Sequence, residues 1–123
     1  MKDVGRDMAS ELIELRNALR AFAEEREWDQ FHSPKNLASA LVVEAGELLE
    51  HFQWLTEEQS KNLPTGVRGK VADELADVLI HLVRLADKVD VDLASAASRK
   101  IASNAKKYPV EKARGRAAKY TEL

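Results

Sequence analysis

Glu44–Ala45–Gly46–Glu47–Leu48–Leu49–Glu50–His51 and Glu74–Leu75–Ala76–Asp77–Val78–Leu79–Ile80–His81 carry the same polar pattern thirty positions apart. Each sets two carboxylates three residues apart and a histidine four further on. At about 100° per residue, Glu44, Glu47 and His51 fall within about 60° of helical arc, as do Glu74, Asp77 and His81. Both polar strips border a broad apolar arc: Leu37, Leu41, Ala45, Leu48 and Phe52 on the first, and Val71, Leu75, Val78, Leu82 and Leu85 on the second. Packing the two arcs together lays the acidic strips side by side at the edge of a core. Four converging carboxylates then require a cation.

Outward from these strips, the remaining pattern is also helical. Leu12, Leu15, Leu19 and Phe22 recur at helical spacing and predict a first helix from about Ser10, with Asp7 or Ser10 as its cap, to about Trp28. Phe22 and Phe52 read as core. Ser33 followed by Pro34 is an N-cap and first-turn signal for a second helix that reaches about Trp54. A polar connector with Pro64 and Gly66 precedes a third helix over 67–88, and Val89–Asp92 breaks the chain before an Ala-rich fourth helix over 93–107 that Pro109 ends. No useful β-alternation is present. An all-α fold with a four-helix bundle core follows, with residues 1–9 as a flexible N-terminus, 10–108 as the helical domain and 109–123 as a basic C-terminal segment expected to pack on or near the site.

At 123 residues the chain is one domain, short enough to gain from oligomerisation. Its 33% charged and 45% apolar residues are ordinary for a globular protein. The formal charge of -2 divides into +6 for residues 99–123 and -8 for the rest. An acidic body with a basic end suits a cation and a polyanion together. With no cysteine, neither a disulfide nor a thiolate site is available. No apolar run reaches membrane-spanning length and the charged start lacks a signal core, so a cytoplasmic protein without membrane partners is expected.

Hard carboxylate oxygens favour Mg²⁺, or Mn²⁺, over zinc. Glu50 lies opposite its apolar arc and Glu58 sits in the connector, so both are expected in solvent. Lys100, Asn104 and Tyr108 share one helix face beside Lys107; by spacing alone they read as the solvated basic end of a helix. Two other readings fit the spacing. One is a carboxylate-bridged di-metal bundle using His51 and His81, although such sites want Glu-x-x-His. The other is a non-enzymatic helical module whose basic tail binds nucleic acid, which the acidic body disfavours.

Five stretches in order carry a resemblance. They are Trp28–Asp–Gln–Phe–His32–Ser–Pro–Lys–Asn36–Leu, Glu44–Ala–Gly–Glu47 through Trp54, Glu74–Leu–Ala–Asp77–Val–Leu–Ile, Lys107–Tyr108–Pro109 with Arg114–Gly115, and Lys119 to Leu123. Together they closely resemble the dCTP pyrophosphatases of the MazG-like all-α NTP pyrophosphohydrolase superfamily, over about residues 12–123. The resemblance implies Mg²⁺-dependent hydrolysis of dCTP, or 5-modified dCTP, to dCMP and pyrophosphate. It also implies a homotetramer, with a dimer as the smaller assembly, and no stable nucleic-acid partner. By position it makes Glu44, Glu47, Glu74 and Asp77 the metal ligands, with Glu47 and Glu74 catalytic. Trp28, His32, Trp54 and His81 fall to the base, and Lys100, Asn104, Lys107, Tyr108 and Arg114 to the phosphates. The chain departs from the family at Val43, where the wider superfamily often has glutamate, at His51, where relatives are apolar, and at His81, where they carry tyrosine.

Overall fold

The computed structural model describes residues 4–123, and among them every regular element is helical. Helix α1 is Val4–Glu25, α2 is Pro34–Glu50, α3 is the short Glu57–Lys61, α4 is Thr65–Lys88, α5 is Leu93–Lys107 and α6 is the single turn Val110–Ala113. Two 3₁₀ turns, Asp29–Phe31 and Tyr120–Glu122, complete the chain.

The ends of these helices follow from local chemistry. Ser33 caps α2 by accepting a hydrogen bond from the Asn36 amide at 3.1 Å, with Pro34 in the first helical position as expected. Asp92 does the same for α5 through the Ser95 amide at 3.0 Å. In the connector, Thr56 and Gln59 form a reciprocal capping box that turns Glu57–Lys61 into helix. Glu58, paired with Lys61 there, and Glu50 are both exposed, as expected.

The breaks after α1 and after α4 use one device. Glu27 adopts φ 54°, and the amides of Glu27 and Trp28 reach back to the Glu24 and Ala23 carbonyls at 3.1 and 2.9 Å. Asp90, at φ 60°, ends α4 in the same way, with Val91 bonding to the Ala86 carbonyl at 2.9 Å. This double bond-back over a left-handed residue closes a helix that has no glycine at its end. It explains why α1 stops at Glu25 rather than near Trp28. The usual apolar contact across such a cap is present, since Trp28 meets Phe22 edge-on at 5.7 Å.

Three expectations are corrected. Residues 4–9 belong to α1 rather than to a frayed end, so neither Asp7 nor Ser10 caps it; residues 1–3 lie outside the described part. Helix α2 stops at Glu50, and the chain continues to Trp54 as turns. Phe22 is not core on this chain: it is 47% exposed, roofed by the Arg26 guanidinium 3.7 Å from its ring centre.

Helix α4 is the hub. It packs against α2 and against α1, and α1 in turn takes α5. The buried apolar set is small, Ala23, Leu37, Val71, Val83, Ala86 and Ala94, and half of it is alanine. Large side chains are left uncovered as a result. Val42 and Leu49 on α2 and Leu75, Leu79 and Leu82 on α4 all remain exposed. No helix among the described residues is long and apolar enough to cross a membrane.

Candidate metal centre

The α2–α4 contact brings the acidic strips together. Glu44 from α2 and Glu74 and Asp77 from α4 each offer a carboxylate oxygen within 4.8 Å of the others. All three are half-buried, as is Glu47 beside them. Glu44 Oε2 and Glu74 Oε2 are shielded from solvent and have no hydrogen-bond partner. Burial pushes the Glu44 carboxyl above its ordinary range, helped by the neighbouring Glu47 carboxylate and by the charge of Asp77. Two buried, unpartnered carboxylate oxygens in a set of this kind fit a hard divalent cation. No histidine belongs to the convergent set among the described residues.

Helix α4 continues the strip toward a second group. One turn beyond Asp77, the His81 Nδ1 donates to the Asp77 carbonyl at 2.7 Å, and one turn further on lies Arg84, only 4% exposed. Arg84 donates to Asp29 Oδ1 at 2.9 Å and to His32 Nδ1 at 3.0 Å. Lys88 also holds Asp29, at 2.5 Å, and Trp28 faces His32 edge-on at 6.5 Å. The two cationic partners keep the Asp29 carboxyl below its ordinary range, chiefly through the hydrogen bond from Lys88. Trp28 and His32 thus meet α4 through Arg84, one turn beyond His81, which itself follows Asp77 by one turn.

His32 is held below its ordinary pKa of 6.5, first by burial and then by the Arg84 charge. The unfolded chain thus binds this proton more tightly than the folded one. The stability contributed by neutral His32 is complete above about pH 6.5 and is lost as the pH falls through the lowered folded value. Thermal unfolding at a series of pH values should show wild type losing Tm more steeply than His32→Asn between about pH 7 and about pH 5. Glu44, with its raised pKa, works in the opposite direction in both proteins, so the difference between the two curves isolates His32. Parallel curves would refute this account.

The other site candidates make no polar contact with this group among the described residues. Trp54, in the turn after α2, is 87% exposed. Lys100, Asn104 and Lys107 are exposed on α5, which packs on α1, Tyr108 is exposed just past its end, and Arg114 is exposed beyond α6. None of them forms an ion pair or side-chain hydrogen bond with the acidic cluster among the described residues. The C-terminal segment folds back onto the end of α5, where Tyr120 meets Tyr108 edge-on at 6.0 Å and lies 5.0 Å from the Lys107 ammonium.

A profile of the MazG-like family matches residues 39–123, a span that contains both acidic strips. The chain belongs to the MazG-like family. It is 47% identical over 114 residues to dCTP pyrophosphatase 1 of Mus musculus, an alignment covering 91% of this chain and 67% of that protein. The corresponding protein of Homo sapiens is 46% identical over 114 residues, covering 91% and 67%. Among solved structures, a pyrophosphatase from Archaeoglobus fulgidus superposes with a TM-score of 0.76 at 39% identity, covering 80% of this chain and 93% of that one.

Within this MazG-like chain, Arg84, Asp29 and Asp87 are the structurally connected residues that sequence reading missed. Arg84 is seven residues after Asp77 and so continues the strip, and Asp29 precedes His32 by three. Those two spacings were the available signal.

Proposed function

We propose that the chain is a nucleotide pyrophosphohydrolase that converts dCTP, including 5-modified dCTP, and water to dCMP and pyrophosphate in the cytoplasm. The observation that carries this reading is the convergence of Glu44, Glu74 and Asp77 with two buried oxygens left unpartnered, in a chain so similar to proteins named dCTP pyrophosphatase 1. Glu44, Glu47, Glu74 and Asp77 would hold Mg²⁺, with Mn²⁺ as a substitute. When bound, the cation supplies positive charge to triphosphate oxygens that the four carboxylates alone would repel.

The protein's own groups supply the rest. Glu47 takes a proton from the water whose oxygen bonds to the α-phosphorus, while the bond from that phosphorus to the departing pyrophosphate breaks. Glu74, from the facing helix, completes the acidic set across from it. Trp28 and Trp54 offer ring faces to the pyrimidine, and His32 and His81 its edge. Lys100, Asn104, Lys107, Tyr108 and Arg114 are assigned to the phosphates.

Self-association, as a homotetramer built from dimers, belongs to the same proposal. Val42, Gly46 and Leu49 share one exposed face of α2, and a Cβ on Gly46 would meet nothing within 4 Å on this chain. A mid-helix glycine costs about 1 kcal/mol relative to alanine, so a close neighbour outside the chain gives it a purpose. Val42→Asp should lower the mass measured by light scattering; an unchanged mass would remove this face from the assembly.

The functional test is pyrophosphate release from a panel of deoxynucleoside triphosphates with Mg²⁺. Turnover of dCTP ahead of dTTP, dATP and dGTP is expected. No release from any of them would overturn the proposal.

A further inference from the structure

The unusual residue in this fold is Arg84. It is the one charged side chain that is buried among the described residues, and its Nε has no partner. It is not needed to join α4 to α1, because Arg20 and Asp87 already do so through two hydrogen bonds of 2.7 and 2.5 Å. What Arg84 does is reach across to the turn that precedes α2, where it holds Asp29 and His32 at once.

The chemistry of that contact is one-directional. A guanidinium carries only donors, so the His32 Nδ1 it approaches at 3.0 Å must offer a lone pair. An imidazole that accepts at Nδ1 and is neutral carries its proton on Nε2. The alternative tautomer would set N–H against N–H inside a partly buried contact. The tautomer is thus assigned by the donor-only character of its partner. The turn carrying His32 is itself pinned: Asp29 is gripped by Arg84 and Lys88, and the Phe31 carbonyl accepts from the Asn36 side chain at 3.0 Å.

We propose that Arg84 is a positioning residue that holds His32 as an Nε2–H donor, so that the base pocket selects a pyrimidine edge presenting an acceptor at N3, as cytosine does and thymine, whose N3 carries hydrogen, does not. This rests on the nucleotide reading above and deepens it. The acceptor edge of cytosine is remote from C5, so a substituent there leaves the contact intact and 5-modified bases are held in the same way. The polar partners of Arg84 are Asp29, His32 and Asp87, none of them in the acidic cluster, and its loss is felt in binding.

Two measurements on the full chain test this. Long-range ¹H–¹⁵N spectra of the imidazoles, with His32 assigned through His32→Asn, should show His32 as the single Nε2–H tautomer in the wild type and as a mixture in Arg84→Met. A wild-type His32 protonated on Nδ1, or one whose tautomer is unmoved in Arg84→Met, would overturn the proposal; the wild-type spectrum decides even where the variant does not fold. In the kinetic arm, Arg84→Met should raise KM for dCTP and for 5-methyl-dCTP by about tenfold with kcat within about twofold, and Arg84→Lys, which keeps a donor, should recover most of the loss. A fall in kcat with KM unchanged would overturn it. Should the wild type release no pyrophosphate from any deoxynucleotide, the nucleotide reading fails by itself, while the imidazole spectra still decide the link between Arg84 and His32.

Discussion

Glu44→Gln is expected to lower pyrophosphate release by about 10²- to 10³-fold and, at the same time, to raise the Tm of the metal-free protein at neutral pH. Both effects come from one arrangement. The Glu44 carboxyl is pushed up by burial and by its acidic neighbours, so the folded state prefers it protonated. Above the ordinary value of 4.5, ionisation of Glu44 in the folded chain opposes folding, and the opposition grows until the pH passes the raised folded value. Glutamine is isosteric and uncharged, so it removes that cost. It also removes a ligand, so the rise in Tm that wild type gains from excess Mg²⁺ through binding to the folded state should be much reduced. Activity assays with thermal unfolding in chelator and in Mg²⁺ give all three readouts. A variant that stays active, or that is less stable without metal, would contradict the assignment of Glu44.

Asp87→Ala is expected to destabilise the fold by about 2 kcal/mol, a fall in Tm of about 8 °C for a domain of this size. Asp87 is largely buried, with a side chain 12% exposed, and it accepts two hydrogen bonds from Arg20 on α1 while standing 3.8 Å from the Arg84 guanidinium. The Arg20 hydrogen bonds are the main reason that its carboxyl sits below the ordinary range. Arg20 is half exposed and its share is screened by water, so most of the loss comes from leaving buried Arg84 with Asp29 as its only carboxylate. Arg84→Met, by contrast, removes the buried charge together with its unpartnered Nε and should change stability by no more than about 1 kcal/mol. Thermal unfolding of the two variants in parallel distinguishes a carboxylate that neutralises Arg84 from one that merely decorates a helix.

The helices were legible because their signals are local. Ser33–Pro34 announces α2 whatever surrounds it, and the spacing of Glu44 with Glu47 and of Glu74 with Asp77 places each pair on one face by helical geometry alone. Glu50 could be separated from Glu44 and Glu47 for the same reason. Where local signals misled, a neighbour had intervened. The apolar stripe of α1 runs on to Trp28, but Glu27 in the left-handed region turns the chain back and lays Trp28 against Phe22. Phe22 read as core because its spacing is that of a core residue, but the single chain supplies no helix to cover it.

Helix type, the N-cap of α2 and the pairing of carboxylates within each strip were thus decided by the sequence itself, since each depends on residues within about two turns of one another. The tertiary structure decided which carboxylates lose their water. It also decided that Arg84 meets His32 and Asp29, residues 52 and 55 positions away. Those outcomes depend on the path of the backbone between α2 and α4, and no spacing rule encodes a contact that exists only after the two helices have packed.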